Sequence, residues 1–302
     1  MDILYKGKLT FFTKAAMDLY CVCAWLFGEA DPKKMKRRIK LGYEGFWQDH
    51  LSKYDALGAA HYFKIAETLA EGLDVKGKTI LDVGCGTGIV SFLLLSRGAS
   101  KVVCVDISQY MLNCAKEKAD KLGYDKTRID FCQADAEAMP FKNGQFDLVV
   151  SSMVLGLSCG QERMIEEMAR VARPGGKVAF STHGYKQYWE AIEVVAFIIF
   201  LRYGLVPYRP EYWSRTPKEA RRLMLCSGLG DIEIRNNEWM EHFESGSEAF
   251  DFFAAVSSLW WYARFPSYKW GEYMEYDRQY FNQRKVKNIT FDIVCAYGAK
   301  RA

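Results

Sequence analysis

A glycine-rich segment between an apolar stretch and a helical one is the part of this sequence best suited to chemistry. Residues 81–88 read Leu-Asp-Val-Gly-Cys-Gly-Thr-Gly. Glycines there allow positive φ angles and a close approach of the backbone to a ligand, and the start of the following helix favours a carboxylate or a phosphate. Asp82 would repel a pyrophosphate and attract an ammonium group. The spacing G-x-G-x-G also differs from the G-x-G-x-x-G of dinucleotide sites. The alternative is a tight strand-to-helix turn without a ligand.

Polar residues at the ends of the next strands favour the ligand interpretation. Asp106 ends the second strand, where a carboxylate can accept both hydroxyls of a ribose. Ile107 and Met111 follow it and can cover an adenine, and Asp135, after the third strand, can accept the adenine amino group. Ser151 ends the fourth strand beneath the glycine loop. S-adenosylmethionine, which has an ammonium, a carboxylate, a sulfonium and a nucleoside but no phosphate, suits this set.

Strands that alternate with helices must position these residues. From Lys78 to His183 the sequence predicts five short apolar strands with helices between them, including a helix after the N-cap Ser108. This order is typical of a parallel sheet covered on both faces. After His183 we expect helical insertions at about 184–230 and 243–285, a strand from Asp231, and a final strand at 288–300.

The quoted motifs, in this order, resemble the class I S-adenosylmethionine-dependent methyltransferases. The chain looks closest to the group of ubiquinone/menaquinone C-methyltransferases and small-molecule methyltransferases. The matching text is ILDVGCGTG, VVCVDISQYML, ADAEAMPFKNGQFDLVVSSMVL and MARVARPGGKVAFS, within residues 78–182. The resemblance implies a Rossmann-like seven-stranded sheet, mostly parallel with an antiparallel last strand. It divides the chain into a helical N-terminal extension (1–75) and a methyltransferase domain (76–302) that carries helical lid insertions.

The resemblance also implies roles for individual residues, with S-adenosyl-L-methionine as cofactor and S-adenosyl-L-homocysteine as product. The methionine part would lie against the glycine loop, the ribose against Asp106 and the adenine against Asp135. The complete set of implied cofactor-binding residues is Asp82, Gly84, Cys85, Gly86, Gly88, Asp106, Ile107, Met111, Asp135, Ala136 and Ser151.

The segment after the fourth strand excludes several related reactions. It reads Ser151-Ser152-Met153-Val154, not the Asn/Asp-Pro-Pro-Tyr/Phe of enzymes that methylate nucleobase amino groups. It also lacks the paired glutamates of protein arginine methyltransferases and the Cys of arsenite methyltransferases. Methyl transfer needs a base only if the acceptor is protonated. The candidates are His183, after the fifth strand, and His61, before the glycine loop; a structural role for each is the alternative.

The second half of the chain predicts an apolar acceptor. Residues 243–281 are rich in aromatic side chains, and residues 194–201 read VVAFIIFL. Aromatic residues usually pack as core, but this density suits a quinone-like, isoprenoid or lipid acceptor. Two alternatives remain open: a methyltransferase for a soluble polar or amine metabolite, and a regulatory protein that binds S-adenosylmethionine without turnover. Tyr62, on the helix before the glycine loop, is a candidate to line the opening of the cofactor pocket.

Composition limits the compartment and the partners. The chain has 302 residues, nine cysteines without a Cys-x-x-Cys pair and a net charge of +4. The cysteines predict a cytoplasmic protein without a metal site, and the modest charge argues against a nucleic-acid partner.

The positive charge is concentrated in one segment. Without the six basic residues in 33–40, the remaining 35 basic and 37 acidic residues give a net charge of −2. This basic segment follows an apolar helix, so residues 10–40 are a candidate for peripheral contact with an anionic membrane. The alternative is an ordinary packed helix and a solvated one.

Overall fold

A seven-stranded sheet organises the part of the chain that the structure, a computed structural model, describes: residues 58–191, 216–258 and 270–301. The strand order is β3-β2-β1-β4-β5-β7-β6. The strands are β1 (Thr79–Val83), β2 (Lys101–Asp106), β3 (Ile129–Gln133), β4 (Phe146–Ser152), β5 (Ala172–His183), β6 (Leu229–His242) and β7 (Asn288–Lys300). The helices are α1 (Ala59–Ala70), α2 (Ile89–Ser96), α3 (Gln109–Lys121), α4 (Gln161–Val171), α5 (Pro217–Cys226), α6 (Gly246–Phe253) and α7 (Trp270–Gln283).

The pairing of the strands confirms the predicted topology. Strands β1 to β5 pair in parallel, and β7 lies antiparallel between β5 and β6. The chain builds outward from β1 to β3 and then returns to β4 on the other side of β1. The order therefore reverses between β1 and β4, and parallel sheets bind ligands beyond the carboxyl ends of the strands at such a point.

Each face of the sheet carries its own core, as expected for strands buried on both sides. Ile80 of β1 packs with α1, α2 and α6 on one face, whereas Leu81 packs with α4 and α5 on the other. Alternation along the strand places Asp82 on the same face as Ile80. The glycine loop after β1 therefore lies between β1 and the start of α2.

Local signals fix the starts of two helices. The hydroxyl of Ser108 accepts a hydrogen bond from the Met111 amide at 3.3 Å, as predicted for the cap of α3. Thr216 and Glu219 form a capping box at the start of α5, with Pro217 in its first turn. These caps satisfy amide groups that the helices leave unpaired.

Two strand boundaries differ from the sequence predictions. Strand β5 begins at Ala172, before Pro174, because the register between β4 and β5 shifts and lets residues 173–176 form an irregular extension. Strand β6 begins at Leu229, two residues before Asp231. The segments 10–40 and 194–201 lie outside the described residues. Among those that are described, no helix is long and apolar enough to cross a membrane.

The aromatic residues of the second insertion form core. Phe250, Phe252, Phe253 and Phe281 are all buried, and Phe252 lies near the ring of Phe291 on β7, with 5.8 Å between centroids. Helices α6 and α7 thus pack over the part of the sheet that contains β7. The described aromatic residues of this insertion stabilise that packing, as buried aromatic side chains usually do.

We expect Phe252→Ala to destabilise the protein by about 3–5 kcal/mol, because truncation of a buried Phe removes apolar contacts and leaves a cavity. Phe63 on α1 is 44% exposed, and Phe63→Ala is the matched control, with an expected change within about 0.5 kcal/mol. Denaturant unfolding measures both. Equal effects of the two substitutions would contradict the assignment of Phe252 to the core.

Candidate functional site

The glycine loop turns sharply because three of its glycines have backbone angles that side chains disfavour. Gly84, Gly86 and Gly88 have φ of 70°, 53° and 89°, in the left-handed region. A Cβ on Gly84 would also overlap the side chain of Val154. The amides of Gly84 and Cys85 both donate to the Val105 carbonyl, at 2.7 and 2.9 Å. The loop is therefore held against the end of β2.

Asp106 connects this loop to the next helix. Its Oδ2 accepts a hydrogen bond from the Gly86 amide and its Oδ1 one from the Ser108 amide, each at 2.9 Å. Burial raises the pKa of Asp106, whereas the hydrogen bonds from the Ser108, Gly86 and Ile107 amides lower it. Each carboxylate oxygen keeps further acceptor capacity for a ligand hydroxyl.

Asp82 is the most deeply buried acid of the site. Its side chain is 1% exposed, and its Oδ2 accepts a hydrogen bond of 2.6 Å from the Ser91 hydroxyl. The pKa of Asp82 is raised to about 7, chiefly by burial and also by the neighbouring Asp106, against the opposing effect of the hydrogen bonds from Ser91. At neutral pH this carboxyl group is close to its midpoint between charged and neutral forms.

The connections after β3 and β4 are joined by a carboxylate. Asp135 Oδ1 accepts a hydrogen bond from the Glu137 amide at 2.9 Å. Glu137 Oε1 in turn accepts from the Ser158 hydroxyl at 2.9 Å and from the Gly160 amide at 2.8 Å. The segment that carries Asp135 and Ala136 is therefore fixed relative to the segment that follows β4.

A pocket of ≈ 170 Å³ lies where these segments meet, at the carboxyl ends of the first four strands. Its wall includes nine of the predicted cofactor-binding residues, which are Asp82, Gly84, Cys85, Gly86, Asp106, Ile107, Met111, Asp135 and Ala136. The described wall contains four acidic residues, since Glu137 joins the three aspartates, and no Lys, Arg or His. Such a wall suits a cationic ligand without phosphate and disfavours a pyrophosphate.

Gly88 and Ser151 do not line the pocket, although the sequence analysis includes them. Gly88 is the N-cap of α2, and a Cβ there would crowd the ring of Phe92. The Ser151 hydroxyl donates to the Val83 carbonyl at 2.8 Å and so joins β4 to β1. Both residues therefore support the segments that form the pocket wall without lining the pocket themselves.

The two predicted base candidates also lie away from this wall. His183 ends β5, and burial lowers its pKa to about 4. His61 is surrounded by the rings of Phe243, Phe252 and Phe291, and its pKa is lowered mainly by burial. Both imidazoles are therefore neutral at pH 7. Neither imidazole lines the described pocket, and their catalytic role stays a prediction.

The wall also contains residues outside the predicted cofactor-binding set. Tyr62 of α1 lines the pocket as its candidacy suggested, Ser152 ends β4 and Met153 follows it. Met153 has a φ of 61°, an uncommon backbone for a residue with a side chain, and such strain often occurs at functional sites. Val256, which follows α6, also reaches the wall. It lies far along the chain from the other residues, so no spacing rule could find it.

Metal binding finds no support in the described residues, where no group of three or more His, Cys, Asp or Glu side chains could hold an ion. The geometry of the pocket therefore rests on backbone amides, carboxylates and apolar side chains. A doubly wound sheet with a glycine-lined pocket at its switch point is typical of proteins that bind a ligand with a nucleoside, and the acids of this wall favour one that carries positive charge.

Comparison with known proteins identifies the family. A family model described as a methyltransferase domain matches residues 81–180. The chain is 31% identical over 212 residues to the ubiquinone/menaquinone biosynthesis C-methyltransferase UbiE of Francisella tularensis subsp. novicida, covering 64% of this chain and 84% of that one. The chain belongs to the S-adenosylmethionine-dependent methyltransferases, as its motifs predict.

Two further matches agree with this family. The demethylmenaquinone methyltransferase of Lactococcus lactis is 38% identical over 134 residues, 42% of this chain, and the chain spans only 52% of that relative. A solved structure of the Haemonchus contortus phosphoethanolamine N-methyltransferase 2, in complex with phosphomonomethylethanolamine and S-adenosylhomocysteine, shares the fold. Its TM-score is 0.52 at 18% identity, covering 80% of this chain and 53% of that chain.

The position of Ser151 leads to a prediction that separates structure from binding. We expect Ser151→Ala to destabilise the protein by about 1–2 kcal/mol, because the buried Val83 carbonyl loses its hydrogen bond. Affinity for S-adenosylmethionine should stay within about twofold, because Ser151 does not line the pocket. Loss of a hydrogen bond to the ligand would instead lower the affinity about tenfold for each 1.4 kcal/mol. Thermal unfolding and titration calorimetry measure the two quantities. A large loss of affinity with unchanged stability would place Ser151 in the binding site after all.

Proposed function

We propose that the protein transfers a methyl group from S-adenosyl-L-methionine to a small apolar acceptor by direct displacement, leaving S-adenosyl-L-homocysteine. The observation that carries this proposal is the acidic pocket wall, which has four carboxylates and no cationic residue among the described ones. When bound, the cofactor supplies a methyl group on a cationic sulfonium. The carboxylates compensate the positive charges of such a ligand.

We assign the parts of the cofactor to the wall by their chemistry. Asp106, whose two oxygens already accept the Gly86 and Ser108 amides, would accept the ribose hydroxyls with its remaining lone pairs. Asp82 would face the ammonium group. Asp135 would accept the adenine amino group, and the apolar side chain of Met111 would pack against the base.

The uncharged wall residues outside the segments assigned to the cofactor support an apolar and uncharged acceptor. They include Tyr62, Met153 and Val256, and among the described wall residues the acids all belong to the segments assigned to the cofactor. An anionic acceptor would be repelled by these acids. The acceptors named in the two quinone-methylating relatives agree with this choice. We therefore propose a quinone-like, isoprenoid or lipid-like acceptor.

Two alternatives keep specific support. An amine acceptor would be attracted by the acidic wall, and the aromatic ring of Tyr62 could face its positive charge. A regulatory protein that binds the cofactor without turnover would need the same cofactor wall. Assays of methyl transfer to defined acceptors and to cell extracts separate these cases. Transfer to a reduced quinone supports the main proposal, and transfer to an ethanolamine or another polar amine supports the first alternative. Tight cofactor binding without transfer to any acceptor supports the second alternative.

The chain contributes alignment and exclusion of water more than proton transfer. Displacement at a sulfonium is accelerated by correct orientation of the reactants. If the acceptor needs deprotonation, His183 and His61 are the candidates that the sequence offers. Because neither lies on the described wall, a conformational change or a bridging water would have to connect them to the acceptor. We accordingly propose that orientation by Tyr62 and Met153 matters more than a resident base.

Asp106→Ala tests the cofactor assignment. We expect the affinity for S-adenosylmethionine to fall by about 1–3 kcal/mol, because buried hydrogen bonds to the ribose would be lost. Asp130, an exposed acid on β3 that lies 3.9 Å from the Lys101 ammonium, provides the matched control, and Asp130→Ala should bind normally. Titration calorimetry gives both affinities. Failure of the unaltered protein to bind at high micromolar cofactor would reject the proposed function.

The basic segment gives a separate proposal about location. We propose that the protein acts in the cytoplasm and contacts anionic membrane through residues 10–40, where an apolar stretch precedes Lys33, Lys34, Lys36, Arg37, Arg38 and Lys40. Replacing these six residues by Gln should abolish flotation with anionic vesicles at low salt. Unaltered protein that never floats, or flotation that survives the substitutions, would contradict membrane contact.

A further inference from the structure

Asp82 is a buried carboxylate that faces acidic or neutral groups throughout the described part of the chain. From β2, Asp106 and Cys104 face it, and from the glycine loop Cys85 does, since the charges of Asp82 and Asp106 act on that thiol. From α1, Tyr62 lines the same pocket, and the β4 partner of Asp82 is Val150. A carboxylate in such surroundings is costly to ionise unless a positive charge arrives.

Ser91 is the residue of α2 that contacts this carboxylate. Its side chain is fully buried, and its hydroxyl lies 2.6 Å from Asp82 Oδ2 and 3.1 Å from Cys104 Sγ. The position is set by the loop, because α2 begins directly after Gly88 and brings the first turn of the helix over β1. Ser91 therefore fixes one oxygen of a carboxylate that lies on the pocket wall.

We propose that Ser91 positions Asp82 as a counter-charge that releases its proton when the ammonium group of the cofactor binds. This inference rests on the proposed function, because it takes S-adenosylmethionine or its product as the ligand. It goes further by assigning a positioning role to Ser91 and a proton exchange to the binding step. The proton leaves the Asp82 carboxyl group for the solvent, and the carboxylate then pairs with the ammonium group.

The direction of the pH dependence follows from the surroundings of Asp82. Burial holds its pKa at about 7 in the absence of a cation, and the hydroxyl and amide of Ser91 oppose that rise. A bound cation favours the charged carboxylate, so affinity rises with pH until Asp82 is ionised in the free protein. At still higher pH the amino group of the ligand loses its own proton, and affinity falls again.

Removal of the Ser91 hydroxyl should therefore move only the acid side of this profile. The alanine variant lacks one of the two Ser91 hydrogen bonds that stabilise the ionised form, so Asp82 would ionise at a higher pH. The basic side belongs to the ligand and should stay in place. A purely structural role for Ser91 would lower affinity at every pH alike, which makes the shape of the profile the informative measurement.

Titration calorimetry of the full chain with S-adenosylhomocysteine tests the proton exchange. This ligand keeps the amino-acid part of the cofactor and cannot transfer a methyl group. Comparison of two buffers with different ionisation enthalpies counts the protons exchanged. We expect release of about one proton per ligand near pH 6, little release near pH 8, and an affinity that rises about tenfold between them for a group with a pKa near 7.

Three variants complete the design. Ser91→Ala should lower the affinity at pH 7 by about three- to tenfold, the range expected for the net contribution of one hydrogen bond, and shift the acid side upward. Ser91→Thr keeps a hydroxyl and should restore the profile. Ser96→Ala is the matched control on the same helix, since the Ser96 hydroxyl donates to the Leu93 carbonyl. Asp82→Asn should abolish the proton release.

The outcomes distinguish this inference from the proposed function. Binding without proton release near pH 6, release that persists in Asp82→Asn, or a Ser91→Ala profile equal to the unaltered one would overturn the inference while leaving the proposed function intact. Absence of any binding by the unaltered protein would overturn both. Circular dichroism verifies the fold of each variant, and if Ser91→Ala does not fold, the Asp82→Asn measurement decides.

Discussion

The carboxylate of Asp106 is the interaction on which the site depends. It accepts one amide from the glycine loop and one from the start of α3, so a single side chain fixes the ends of β1 and β2 and the beginning of a helix relative to one another. Without these bonds the loop would have to satisfy its amides with water. Asp106 also lines the pocket, so under the proposed function one group would serve both the structure of the loop and the recognition of the ligand.

This sharing has an energetic consequence for the empty protein. Asp82 is buried and Asp106 is half-buried, and the charge of Asp106 raises the cost of ionising Asp82. A folded-state pKa of Asp82 raised from 3.8 to about 7 means that stability falls as pH rises between those values, by about 3–5 kcal/mol in total. A cationic ligand reverses this loss, because it favours the ionised form. Under the proposed function, the protein would be less stable without a ligand, and the same carboxyl group would contribute affinity for a positive charge.

Sequence reasoning could predict the site wherever function depends on a local pattern. Asp106 ends an apolar strand and precedes the capping Ser108, so its place at the carboxyl edge of the sheet follows from the periodicity. Ser151 shows what such reasoning does not see: the residue is in the expected strand and its hydroxyl donates to the Val83 carbonyl, and its role in cofactor binding stays a prediction. Val256 shows a second limit, because its contact with the wall depends on how α6 packs on β7, which no local pattern encodes.

The aromatic residues of the second insertion bear on how the acceptor is chosen. Since Phe250, Phe252, Phe253 and Phe281 are buried against each other and against β7, their apolar surface is already used to hold α6 and α7 on the sheet. Apolar composition alone is therefore a weak argument for an apolar ligand. The stronger argument is electrostatic: the acids of the described wall belong to the segments assigned to the cofactor, whereas Tyr62, Met153 and Val256 carry no charge. Beside these three residues a neutral acceptor would lose no hydration of a charge. An anion would meet repulsion from the acids, and a cation would compete with the cofactor for the same carboxylates.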